Sequence, residues 1–246
     1  MKVLIHGISG RMGGELSALC LAGVRGAELV CGVDARGEGD VYKSFAEVPA
    51  GTEIDCIIDF SFHTAVKGVL DYAVAHGIPT VIATTGLDSE ERAYMKAASE
   101  KIPLFHSANM SVGVALLVEL AKTAAKAMPG ADIEIIERHH NRKADAPSGT
   151  ALMIAEGIRS VRPELENKLG RSGMCRRSEN EIGIHAIRVG NVVGEHEVIV
   201  GTDTQTITLK HEAHSRALFA EGAIAAAAYI EKKAPGFYEM KDLISD

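Results

Sequence analysis

Cysteine is scarce in this chain and wrongly spaced for metal or disulfide chemistry. Among 246 residues only Cys20, Cys31, Cys56 and Cys175 occur, and no two form a Cys-x-x-Cys pair. That argues against a zinc ribbon or a disulfide framework and leaves reduced structural thiols. Histidine does not fill the gap. His139 and His140 are adjacent, while His185, His196, His211 and His214 follow no zinc spacing, so no metal site is expected. Positive charge is also in deficit: 26 Lys+Arg stand against 33 Asp+Glu, for a net charge of -7 and a pI near 5.8. No general electrostatic grip on nucleic acid or an anionic membrane follows from that balance, so an anionic ligand must be held by a local cluster. A long apolar run is missing as well. The longest, Ala223 to Ile230, is mostly alanine and falls far short of the ~20 residues that span a bilayer. Met1-Lys2 runs straight into "VLI", too short for a signal peptide, so the cytoplasm is the expected compartment. No internal repeat is present.

What the chain does have is rhythm. From residue 2 to about 107, "KVLIHG", "AELVCGVD", "DCIIDFS", "IPTVIATTG" and "IPLFHSAN" alternate with amphipathic or alanine-rich stretches. Parallel strands joined by helices produce that pattern, and the strands lack strict alternation because helices cover both faces. The expected fold is α/β: a Rossmann-type doubly wound parallel sheet over residues 1–110. "SVGVALLVELAKTAAKAM" then reads as one long helix, "DIEIIERH" as a strand, and 181–211 as a mostly antiparallel meander, so 111–215 forms a second, α+β domain with a mixed or antiparallel sheet. "SRALFAEGAIAAAAYIEKK" reads as a helix with Ser215 at its N-cap, and the pattern alone allows it to close either domain.

"GISGRMG" places Gly7, Gly10 and Gly13 between the first strand and the first helix. Glycines let the backbone turn tightly and approach a pyrophosphate, whose charge is favoured at a helix amino end. Asp34 follows 21 residues after Gly13, at the end of the second strand, where a carboxylate accepts hydrogen bonds from ribose hydroxyls. Together they imply a dinucleotide. Asp34 favours NADH, and Arg36 leaves NADPH open. "DFS" at 59–61, "ATTG" at 83–86 and "SANMS" at 107–111 each follow an apolar strand. Ligands of an open parallel sheet collect beyond those carboxyl ends, so these residues would ring the nicotinamide half.

The densest chemistry lies in "ERHHNRKADAPSGTA", residues 137–151. Lys143 supplies a point charge, and Ser148-Gly149-Thr150 supplies hydroxyls and backbone N–H groups at a helix start, a combination suited to carboxylates. Histidine titrates near neutral pH, so His139 or His140 can serve as a general acid. A polar loop before an ordinary capped helix would present the same residue types.

These residues resemble the 4-hydroxy-tetrahydrodipicolinate reductase family, long called dihydrodipicolinate reductase. The resemblance rests on "GISGRMG", "DFS", "ATTG", "SANMSVGV", "ERHHNRKADAPSGTA" and "RVGNVVGEHEV", in family order over nearly the whole chain. It implies NAD(P)H-dependent reduction of a cyclic dicarboxylate with loss of water, in a cytoplasmic homotetramer. It also implies that 216–246 returns to complete the first domain and that 111–215 binds substrate and forms the oligomer. Carried over by motif, His139 is the proton donor and Lys143 the second catalytic and substrate-binding group. His140, Ser148, Gly149 and Thr150 contact substrate. Gly7, Ile8, Ser9, Gly10, Arg11, Met12, Asp34, Ala83, Thr84, Thr85, Ser107, Ala108, Asn109 and Met110 contact the cofactor. Three positions depart from the family pattern: Ala83 stands for a glycine, His6 for a smaller residue that would not crowd the adenosine side, and Ala35 splits an acidic-arginine pair. Two rival readings remain, another amino-acid-linked Rossmann dehydrogenase and an NADH-sensing regulatory protein without chemistry.

Overall fold

The computed structural model describes residues 1–245, which form two compact units. The chain begins with β1 (Lys2–His6), α1 (Arg11–Leu21), β2 (Glu28–Val33), β3 (Val41–Tyr42), β4 (Cys56–Asp59), α2 (Val66–His76), β5 (Thr80–Ile82), α3 (Ser89–Ser99) and β6 (Pro103–His106). It continues through α4 (Val112–Ala127), β7 (Asp132–His139), α5 (Gly149–Arg159), β8 (Glu166–Leu169), β9 (Glu181–Arg188), β10 (Gly194–Gly201) and β11 (Thr206–Ala213), and closes with α6 (Ala217–Ile230), β12 (Gly236–Tyr238) and α7 (Met240–Ser245).

The first unit comprises Met1–Ser111 and the chain from Arg216 onward. Its sheet has the order β12-β6-β5-β4-β1-β2-β3, with every pairing parallel. Parallel strands covered on both faces must be apolar throughout, and β4 and β5 are buried at every residue. Leu4, Ile57, Ile82 and Leu104 pack with Val66, Leu70 and Met95 of α2 and α3; each such side chain fully buried contributes roughly 1.5–3 kcal/mol. α1 and α6 pack together on the opposite face. The alanines of α6 allow close approach, and at Gly222 a β-carbon would lie 1.7 Å from the carbonyl oxygen of Met110. α6 therefore lies on β4, β5 and β6. Its N-cap is Arg216, with no side-chain capping bond, instead of the expected Ser215. Strand order reverses between β1 and β4, so the crevice opens beyond His6 and Asp59. Short β3 and β12 have too few residues to show a period.

The second unit is Val112–Ser215, a sheet of order β11-β10-β7-β9-β8. The expected meander is corrected here: only β10 and β11 form a hairpin, and β7 lies between β10 and β9. β7 pairs antiparallel with β10 and parallel with β9, which is itself parallel to β8. Local alternation cannot reveal this, because any strand of matching pattern offers the same ladder. Ile133, Ile135, Ile182, Ile184 and Val198 face α4 and α5 through Leu117, Ala121, Ile154 and Ile158. The segment 189–193, joining β9 to β10, crosses the end of β7 and is bonded to it by Val189 N–H to His139 O (2.9 Å) and His140 N–H to Val192 O (2.8 Å). Polar β8, exposed along its whole length, carries no apolar signal. No helix among the described residues is long and apolar enough to cross a membrane.

Candidate active site

In the first unit the glycine turn is built for close backbone approach. Gly7 has φ +80°, and a β-carbon there would lie 2.6 Å from Phe60 O. A β-carbon on Gly13 would lie 2.3 Å from Ile8 O and 2.5 Å from Gly7 O. α1 starts at Gly10 without a side-chain cap and without an acidic residue in its first turn. Its leading N–H groups and Arg11 therefore suit an anion. Asp34, 7% exposed, accepts the Ser9 N–H at 3.2 Å on one carboxylate oxygen and the Arg36 N–H at 2.9 Å on the other. A carboxylate has about four lone-pair sites, so acceptor capacity remains for ribose hydroxyls. Arg36 Nε lies 3.6 Å from the same carboxylate, and its side chain is exposed. These residues fit a dinucleotide.

The strand ends are more committed than their composition suggests. Buried Asp59 binds His6 Nδ1 (2.7 Å) and accepts the Thr84 hydroxyl (2.6 Å), and Thr84 Oγ1 in turn accepts the Ser61 N–H (3.2 Å). Thr84 thus spends its side chain inside the sheet, and His6 packs on Phe45. Ala83 sits in ordinary backbone, since Arg25 is the one non-glycine residue with positive φ among the described residues. Ser107 and Asn109 hold their own turn, with the Ser107 hydroxyl donating to Asn109 O (2.7 Å) and Ser111 N–H donating to Asn109 Oδ1 (2.9 Å). Met110 is buried.

In the second unit, the end of β7 organises the cluster. Successive strand residues alternate faces, so Glu137 and His139 share the inner one. Glu137 is fully buried. It receives Arg188 through two bonds of 2.8 Å each, the Ser148 N–H at 3.0 Å and His139 Nδ1 at 2.6 Å. Burial pushes the Glu137 carboxyl up, but Arg188, His139 and the Ser148 N–H together outweigh it and hold the carboxyl below its usual range. Arg188 also donates to Asp145 O at 2.6 Å.

Ser148 caps α5, its hydroxyl oxygen accepting the Ala151 N–H at 3.2 Å, and lies 3.0 Å from His196 Nε2. Burial, then the charge of His139, pushes His196 down to about 4, so it is neutral at pH 7. Its buried Nδ1 has no partner among the described residues. A bare nitrogen lone pair there costs less than an orphaned N–H, which assigns the proton to Nε2, donating to Ser148. The Ser148 hydroxyl proton is then not committed to His196. Lys143 Nζ pairs with Asp145 Oδ1 at 2.8 Å, and that ammonium holds the Asp145 carboxyl below its usual range. Lys143 N–H donates to His140 O at 3.1 Å, which folds 140–143 back as a turn. The set joins an imidazole, an ammonium paired with Asp145 and a helix start capped by Ser148, suited to protonating and clamping a dicarboxylate.

Linkage at His196 gives a first expected result. Its folded value lies below the ordinary 6.5, so between 6.5 and 4 the unfolded chain takes up the proton first. Stability is fully present above 6.5 and is lost as pH falls toward 4. Urea titrations at fixed protein concentration should show the parent losing about 2 kcal/mol more than His196→Gln between about pH 7 and 4.5. Parallel losses would remove His196 as a buried neutral group.

Residues 1–110 match the family profile "Dihydrodipicolinate reductase, N-terminus", and 113–244 match "Dihydrodipicolinate reductase, C-terminus". The chain belongs to the dihydrodipicolinate reductase family. It is 46% identical to the 4-hydroxy-tetrahydrodipicolinate reductase of Caldanaerobacter subterraneus subsp. tengcongensis, over 99% of this chain and 98% of that one. The 4-hydroxy-tetrahydrodipicolinate reductase of Alkaliphilus metalliredigens is 43% identical, with 99% of each chain covered. The dipicolinate-bound dihydrodipicolinate reductase from Paenisporosarcina sp. TG-14 shares the fold, with a TM-score of 0.83, 24% identity and 97% of each chain covered.

The second unit brings together His139, Lys143 and Ser148 around groups the sequence left unassigned: Glu137, Arg188, Gly194 and His196. Glu137 had a usable signal, since it stands two residues before His139 on a strand. Arg188 and His196 lie inside "RVGNVVGEHEV", but nothing local says that this stretch borders the end of β7.

Proposed function

We propose that the chain reduces 4-hydroxy-tetrahydrodipicolinate, with loss of its 4-hydroxyl group as water, to tetrahydrodipicolinate in the diaminopimelate route to lysine. The observation that carries this reading is one buried carboxylate, Glu137, bonded both to His139 and to the helix start at Ser148, in a chain of this family. The dipicolinate of the Paenisporosarcina protein is a planar dicarboxylate of the class proposed here.

In this reading, 1–110 with 216–246 is the dinucleotide domain, and 111–215 is the substrate and oligomerisation domain. Gly7 through Met12, Asp34, Ala83 through Thr85 and Ser107 through Met110 hold the cofactor, with Thr84 and Met110 contributing through backbone because their side chains are buried. When bound, NADH or NADPH supplies the hydride to the conjugated imine. Imidazolium His139 donates its Nε2 proton to the adjacent carbon, where the enamine builds up electron density. The N–H electron pair stays on nitrogen. Lys143 exchanges Asp145 for a substrate carboxylate, while His140, Ser148, Gly149 and Thr150 fix the carboxylates and offset their charge.

Asp34 repels a 2′-phosphate and exposed Arg36 attracts one, so NADH should work at least as well as NADPH. Steady-state kinetics with a tenfold or greater preference for NADPH would overturn that. The face of the second sheet away from α4 and α5 presents Ile136, Ile199 and the ion-paired Arg138, Glu195, Glu197 and Lys210. That face is where copies of this chain would pack in the cytoplasmic homotetramer that the resemblance implies. The deciding assay supplies freshly made 4-hydroxy-tetrahydrodipicolinate and follows NADH absorbance. Binding of NADH without its oxidation would favour a sensor instead.

A further inference from the structure

The crossing of 189–193 over the end of β7 sets Arg188 and Gly194 on either side of His139. Arg188 is its register partner on β9. At Gly194 a β-carbon would lie 3.1 Å from His139 Nε2 and 3.5 Å from Cδ2, so the missing side chain leaves room beside that edge of the ring. Nδ1 meets Glu137 Oε2 at 2.6 Å, whereas Nε2 takes no protein hydrogen bond among the described residues. Glu137 is surrounded by donors: the Arg188 fork, the Ser148 N–H and the His139 ring. A carboxylate in such a shell is ionised and only accepts, so it binds the imidazole solely through an Nδ1–H.

We propose that Glu137 is the positioning residue of this site: it holds His139 in the Nδ1–H tautomer so that the transferable proton sits on Nε2, facing the space left by Gly194. The same carboxylate holds the Ser148 N–H, which sets the proton donor and the carboxylate clamp in one frame. Arg188 neutralises it and ties Asp145 O, the neighbour of the Lys143 turn, to that frame. This inference rests on the reading of His139 as the acid.

Two measurements test it separately from that reading. Imidazole 15N spectra of histidine-labelled parent protein, with the His139 signal assigned by its loss in His139→Gln, should show neutral His139 carrying its proton on Nδ1. A proton on Nε2 overturns the proposal whatever the kinetics. Glu137→Gln offers a single carbonyl acceptor to four donor contacts. It should lower kcat at least tenfold, with any rise in KM from the loosened Ser148 frame smaller than the fall in kcat, yet lower the residual kcat of His139→Gln less than twofold when the two are combined. Equal losses in both backgrounds would mean that Glu137 only supports the fold, which overturns the proposal. Should Glu137→Gln not fold, the spectrum of the parent decides. If His139→Gln itself keeps parental turnover, the acid assignment fails and the tautomer result still stands by itself.

Discussion

Replacing His139 by glutamine should lower turnover by about 10²–10³-fold while leaving KM within a few-fold. Glutamine fills much of the same volume and its amide N–H can still meet Glu137, so the buried carboxylate keeps a donor and the end of β7 keeps its place. What disappears is a ring nitrogen able to carry and hand over a proton. An interaction made only as the proton moves lowers kcat and kcat/KM together, which separates it from lost substrate binding. Steady-state kinetics over a range of substrate concentrations reads the split. Turnover near the parental value would remove His139 from the acid role, and a rise in KM alone would make it a binding group.

The second large effect belongs to the other unit. Gly13→Ala should weaken reduced dinucleotide binding at least a hundredfold, about 3 kcal/mol. The added methyl group would meet Ile8 O at 2.3 Å and Gly7 O at 2.5 Å, both backbone atoms of the turn itself. Neither can swing aside as a flexible side chain would, so the turn opens and its N–H groups no longer converge. Gly14 provides the control, because a β-carbon there meets nothing within 4 Å; Gly14→Ala should change the dissociation constant less than twofold. Calorimetric titration with NADH measures both variants. Equal behaviour of the two would mean that the Gly13 contact does not shape the cofactor turn.

Much of this was legible because its causes are local. The strands of the first unit announce themselves as apolar runs, since both faces are covered. The glycine turn is readable because only glycine tolerates those close approaches, and the Ser148 start of α5 because a hydroxyl caps a helix within three residues of itself. Only the resemblance carried by "ERHHNRKADAPSGTA" chose His139 over His140 as the expected proton donor. Other features were illegible for equally physical reasons. Thr84 looked like a rim hydroxyl, but the buried Asp59 carboxylate captures it. Ser215 looked like an N-cap, but the helix begins one residue later. The β-rich stretch looked like a meander, but β7 enters between β9 and β10.

By itself, then, the sequence determined the family, through its resemblance, and the doubly wound first unit with its glycine turn. The fold follows from the rhythm of apolar runs and the family from motifs spread along the chain. Only the tertiary structure brought Glu137, Arg188 and Gly194 around the His139 ring. Arg188 and Gly194 reach the end of β7 through a strand crossing 49 or more positions along the chain from His139. Long-range pairing obeys burial of the whole sheet, and no local pattern encodes it.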